Sequence, residues 1–113
     1  MEAEKDLSMG LYNKAVSGPW FSLEALLRYL LLKSGKIPPE RAGPLISAFI
    51  NEVIHDPENE RTLRDVLNSI YACRREIDHR RKLADKKYAE EVYRDYLKAL
   101  DIICKETSIS YND

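Results

Sequence analysis

A chain of 113 residues has room for one domain of ordinary size, with a core that needs neither metals nor disulfides to hold it together. Its 44% hydrophobic and 33% charged residues are those of a globular protein and exclude disordered, collagenous and membrane-embedded classes. A net charge of −1 exerts no global pull on nucleic acid or acidic lipid, so an electrostatic partner must be recognised by a local cluster.

The opening MEAEKDLS is acidic and polar, unlike a secretory signal, and residues 2–9 are expected to form a minor first helix ended by Gly10. Over 11–34 the apolar residues Ala15, Trp20, Phe21, Leu23, Leu26, Leu27, Leu30 and Leu31 cover most of a helical circumference. This is the expected central, most buried helix, stopped by Ser34-Gly35. Gly18-Pro19 predicts a kink or a second helix start, because proline removes a backbone donor and clashes with the preceding turn. The most apolar run, 23–32, contains Glu24 and Arg28 and falls short of the roughly 20 residues that cross a bilayer. A cytoplasmic protein with no membrane partner is expected.

Pro38, Pro39 and Gly43 make 36–43 a loop. A helix then starts at Pro44, where a missing N–H costs nothing, and carries Leu45, Ile46, Phe49, Ile50 and Val53 until His55-Asp56-Pro57. The next helix, over about 57–77, has Leu63, Val66, Leu67, Ile70, Cys73 and Ile77 on one stripe. The last, over about 85–105, carries Tyr88, Val92, Tyr96, Ala99 and Ile103 on one face, with Ala89, Tyr93, Leu97, Leu100 and Cys104 beside it. The tail 108–113 is short and polar. No segment has a sustained period of two, so the expected fold class is all-α: an up-and-down helical bundle of four to five helices in one domain. Cys73 and Cys104 lack metal-ligand spacing and are expected to be small buried hydrophobes. No cofactor and no metal site is expected.

Chemistry gathers late in the chain. At about 100 degrees per residue, Arg74 falls on the apolar stripe of the 57–77 helix. A guanidinium there must be paired, reach a cleft, or meet a partner chain. An i,i+4 pair with Asp78 is one answer, a phosphate-binding cleft another. His79 lies five residues on, about 140 degrees around, so it converges with Arg74 only if the helix ends nearby or a second chain completes the site. From Arg74 to Lys87 there are seven Lys or Arg residues against three acids, which suits a phosphate partner. Arg75, Arg80, Arg81 and Lys82 are the candidate contacts with RNA. Tyr29, Tyr71, Tyr88, Tyr93 and Tyr96 could stack bases or simply fill the core and interfaces. His55 is expected as an exposed helix-end residue.

The stretches GLYNKAVSGPWFSLEALLRYLLLKSGKIPP and YACRREIDHRRK resemble the HEPN family, the second through an R-x4-H motif with Arg74 and His79 in its two positions. The similarity spans about 6–103. It implies a helical bundle that dimerises so that two motifs face one cleft, a metal-independent ribonuclease site in catalytic members. His79 would move protons at the 2′-hydroxyl and leaving oxygen, and Arg74 would steady the pentavalent phosphate, giving a 2′,3′-cyclic product. Glu24, matching the family's mid-helix glutamate, would line the cleft or pair with Arg28, and Asp78, inside the motif, is the other candidate cleft residue. Arg75 stands where many catalytic members have a small polar residue. Arg81 stands where one toxin subgroup has the tyrosine modified by a partner nucleotidyltransferase. The expected role is a toxin or defence ribonuclease, with a nucleotidyltransferase-type antitoxin as its candidate partner. The alternative is a non-catalytic partner or nucleotide-binding module beside such an enzyme.

Overall fold

The computed structural model describes residues 11–79 and 84–107, with side chains described as far as Ile77 in the first stretch. It contains α1 (Tyr12–Lys33), α2 (Ala42–Val53), α3 (Pro57–His79) and α4 (Lys86–Thr107), and no strand among the described residues. The fold is an all-α bundle. The expected minor helix at 2–9 and the tail at 108–113 lie outside the described residues.

Local chemistry sets most of the boundaries. α1 stops in a Schellman turn: Gly35 takes φ +83°, its N–H donates to Leu32 O at 3.0 Å, and the Lys36 N–H donates to Leu31 O at 2.9 Å. Asp56 caps α3, accepting the Asn59 N–H on Oδ2 at 2.9 Å, and Pro57 follows in the first helical position. Asp85 caps α4 in the same way, taking the Tyr88 N–H at 2.8 Å.

Of the two outcomes expected at Pro19, a second helix start does not occur: the helix is unbroken from Tyr12 to Lys33 and buries Pro19. Burial of the flanking Ala15, Val16, Trp20 and Leu23 outweighs the one lost backbone bond. α2 begins at Ala42 and not at Pro44, which therefore sits inside the first turn. The first four N–H groups of a helix have no partner within it, so proline is tolerated there too.

Packing follows the apolar stripes. Trp20, Leu23, Leu27, Phe49, Leu63, Leu67 and Tyr96 are each at most 1% exposed and form one core shared by all four helices. A smaller cluster joins the start of α1, the end of α3 and the start of α4 through Ala15, Val16, Ile77, Ala89 and Val92. There the Ala84 N–H donates to Asn13 Oδ1 at 2.9 Å. Direction alternates from α2 through α4. Between α1 and α2 the chain doubles back: the Arg28 guanidinium donates to the Pro39 and Glu40 carbonyls at 2.6 and 2.8 Å, holding the connection along α1. Consequently α2 begins beside the Trp20–Glu24 turn, a placement that creates the cleft described next. Cys73 and Cys104 are free and partly buried. Leu97, expected beside the apolar face of α4, is 43% exposed. No helix of the described residues is long and apolar enough to cross a membrane.

Candidate functional site

Tyr71, Arg74 and Arg75 lie one turn apart on α3, on the side that faces the Trp20–Phe21 step of α1. Tyr71 packs its ring against Trp20 with centroids 5.0 Å apart and planes at 60°. The Arg74 guanidinium carbon stands 5.0 Å from the centroid of Phe21. That of Arg75, an exposed residue, stands 5.9 Å from the centroid of Tyr71. Cations on ring faces gain from the ring quadrupole, more as water is withdrawn. Arg74 is half-buried, with its Nε buried, and so rests on an apolar stripe by laying its guanidinium across an aromatic ring.

This stack forms one wall of a cleft of about 480 Å³ whose lining includes Phe21, Glu24, Arg41, Gly43, Tyr71 and Arg74. The opposite wall is the first turn of α2, which has no side-chain cap at Arg41. Its partial positive charge therefore adds to that of Arg74 and Arg41 around the cleft. Glu24 fills both roles open to it: it lines the cleft and pairs with Arg28 at 3.6 Å. Because Arg28 is also bound to the Pro39 and Glu40 carbonyls, the Glu24 carboxylate is held on a rigid edge. Aromatic rings, a guanidinium plane and a helix N-terminus together suit a planar, negatively charged ligand.

The other expected site residues divide clearly. Asp78 and His79 occupy the last turn of α3, and their side chains lie outside the described residues, as do Arg80, Arg81 and Lys82 altogether. α3 is described as far as His79 and residues 84–85 are not helical, so no continuous helix runs from α3 through Lys87. Of the motif's surroundings, the cleft brings together Arg74 and Glu24.

Sequence reasoning named Tyr71 as a residue that could stack bases but missed Phe21. Phe21 was expected as part of the apolar surface of α1, yet it is 49% exposed and carries Arg74. A signal existed for Tyr71, which precedes Arg74 by three and Arg75 by four residues, the spacing that lets a ring meet a cation on a helix. No such signal existed for Phe21 or for Arg41 to Pro44, which reach the cleft through the folded-back connection. The remaining tyrosines are accounted for elsewhere: Tyr96 is core, Tyr29 is 57% exposed, and Tyr88 and Tyr93 are half-buried. On the other side of α3, burial pushes the Tyr88 phenol well above its ordinary range, helped by a hydrogen bond with Cys73. Among the described residues no three His, Cys, Asp or Glu side chains gather as a metal site would require.

No family model, no curated protein and no solved structure matches this chain.

Proposed function

We propose that this chain is a HEPN-type, metal-independent endoribonuclease whose site lies at the C-terminal end of α3, with RNA as substrate. The observation that carries the reading is Arg74, the R of the R-x4-H motif, laid across Phe21 at 5.0 Å on the wall of a cleft wide enough for a nucleotide. Arg74 clamps a backbone phosphate and, in the transition state, the charge that builds on it. His79 abstracts the 2′-hydroxyl proton and then protonates the 5′-leaving oxygen, two tasks an imidazole performs near neutral pH. The products are a 2′,3′-cyclic phosphate and a free 5′-hydroxyl. Arg75, Arg80, Arg81 and Lys82 hold flanking phosphates. The non-helical residues 84–85 support the reading, because a motif histidine 140 degrees away on a helix continuing through Lys87 would face elsewhere. A toxin or defence role, a cytoplasmic setting, a homodimer and a nucleotidyltransferase-type antitoxin come with the family resemblance.

End-labelled single-stranded RNA incubated with the pure protein in excess chelator tests it. Cleavage with cyclic phosphate ends is the expected result. RNA retained intact but tightly bound would favour the second reading, a non-catalytic binding module, which the aromatic and cationic cleft would serve equally well.

A further inference from the structure

The cations of the Arg74 cleft surround a fixed carboxylate. Glu24 Oε2 lies 3.6 Å from Arg28 Nη2, and the same guanidinium donates to the Pro39 and Glu40 carbonyls at 2.6 and 2.8 Å. Arg28 is thereby pinned between α1 and the connection to α2. Glu24 Oε1 has no partner among the described residues, and the side chain, 30% exposed, lines the cleft. A carboxylate accepts at about four lone-pair positions, so the ion pair with Arg28 leaves most of them open to a ligand.

An acid in a site for phosphate repels the charge it sits beside, and Arg74, Arg41 and the first turn of α2 must offset it. Its place in the cleft makes sense if it recognises another part of the ligand. Phe21 precedes Glu24 by three residues on α1, and the Arg74 guanidinium carbon stands 5.0 Å from the Phe21 ring. Cation and carboxylate thus stand about one helical turn apart along α1, roughly 5 Å. One nucleotide bridges that step, its phosphate at Arg74 and its base edge at Glu24.

We infer that Glu24 selects guanine as the base beside the phosphate held by Arg74, an inference that takes its ligand class from the RNA reading above. Guanine presents two adjacent donors, N1–H and the N2 amino group, which a carboxylate accepts side by side as it does a guanidinium. Adenine and cytosine set a ring-nitrogen acceptor next to their amino group, so one carboxylate oxygen would face a lone pair. Uracil flanks its N3–H with two carbonyls. A carboxylate fixed at the Watson–Crick edge of an unpaired base therefore favours guanine over the other three.

The test titrates the full chain with the 3′,5′-bisphosphates of guanosine, adenosine, cytidine and uridine. Binding is followed by the fluorescence of Trp20, the chain's single tryptophan and part of the cleft lining. The guanosine compound should bind about tenfold tighter than the others, the scale of one two-bond base contact. Glu24→Gln, checked for folding by circular dichroism, should abolish that preference without weakening the other three. Equal affinity for all four in wild type, no binding of any, or an equal loss for all four in Glu24→Gln would overturn the inference, the last because it leaves Glu24 only the task of holding Arg28. Mapping the ends released from RNA of random sequence separates this inference from the ribonuclease reading. Cuts with no guanine preference on either side overturn the inference alone, whereas intact RNA together with guanosine-selective binding sinks the ribonuclease reading and upholds the inference.

Discussion

The two ends of α3 use polar groups in opposite ways. At the N-terminal end polar groups close the helix onto α4. Asp56 caps the helix, and Glu106 of α4 accepts the backbone N–H groups of His55 and Asp56 at 3.4 and 3.3 Å and the Asn59 amide at 3.0 Å. Those bonds hold the Glu106 carboxyl below the ordinary glutamate range, the Asn59 amide contributing most. At the C-terminal end Arg74 and Arg75 sit over Phe21 and Tyr71 beside an open cleft. Closure at one end anchors the helix; the other end lines an open cleft. Cations also favour a helix C-terminus through its dipole, but that effect requires neither a ring beneath the guanidinium nor a cleft beside it.

Substitutions at each end should separate these roles. The largest effect is expected from His79→Ala, which should slow RNA cleavage by about 100-fold in single-turnover assays while RNA affinity stays within about twofold, since general acid-base catalysis contributes on that order. Equal rates for both proteins would remove the proton-transfer role. Next is Arg74→Ala, expected to weaken both RNA binding and cleavage by about tenfold, because a charged contact serves ground state and transition state alike. Phe21→Ala, which removes the ring beneath Arg74, should cost about fivefold in RNA affinity by fluorescence anisotropy, the scale of one cation–π contact. An unchanged affinity would mean that the ring only fills space.

The smaller effects belong to the closed end. Glu106→Ala should lower the melting temperature by about 4 °C, as expected for the loss of one helix cap. Its folded pKa is depressed from 4.5, so its stabilisation is present above about that pH and fades as pH falls through the folded value. The gap in melting temperature between wild type and Glu106→Ala should therefore narrow on acidification below pH 4.5. A gap constant with pH would show that the carboxylate charge is not involved.

Much of the fold could be read from residue spacing because its causes are local. Ser34-Gly35 marked the stop of α1, where the Schellman turn lies, His55-Asp56-Pro57 marked the break between α2 and α3, and the apolar stripes marked the four helices and the core. What stayed hidden depends on distant partners. The Glu106–Asn59 bond joins residues 47 apart, and the Arg28–Pro39 bond that folds the connection back joins residues 11 apart. Neither has a periodic signature. The site was half legible for the same reason: Arg74 was visible as a charge on an apolar stripe, whereas Phe21 could be assigned to the cleft only once α1 was placed against α3. At Pro19 no second helix starts, because its local cost is fixed while the burial that offsets it is tertiary.

The most direct test compares His79→Ala with Glu106→Ala, measuring RNA cleavage per folded molecule in chelator well below both melting temperatures. The expected result is a loss of about 100-fold for His79→Ala at unchanged melting temperature, and wild-type cleavage for Glu106→Ala despite its lower one. Cleavage lost equally in both variants, or retained in His79→Ala, would contradict the division of labour between the two ends of α3.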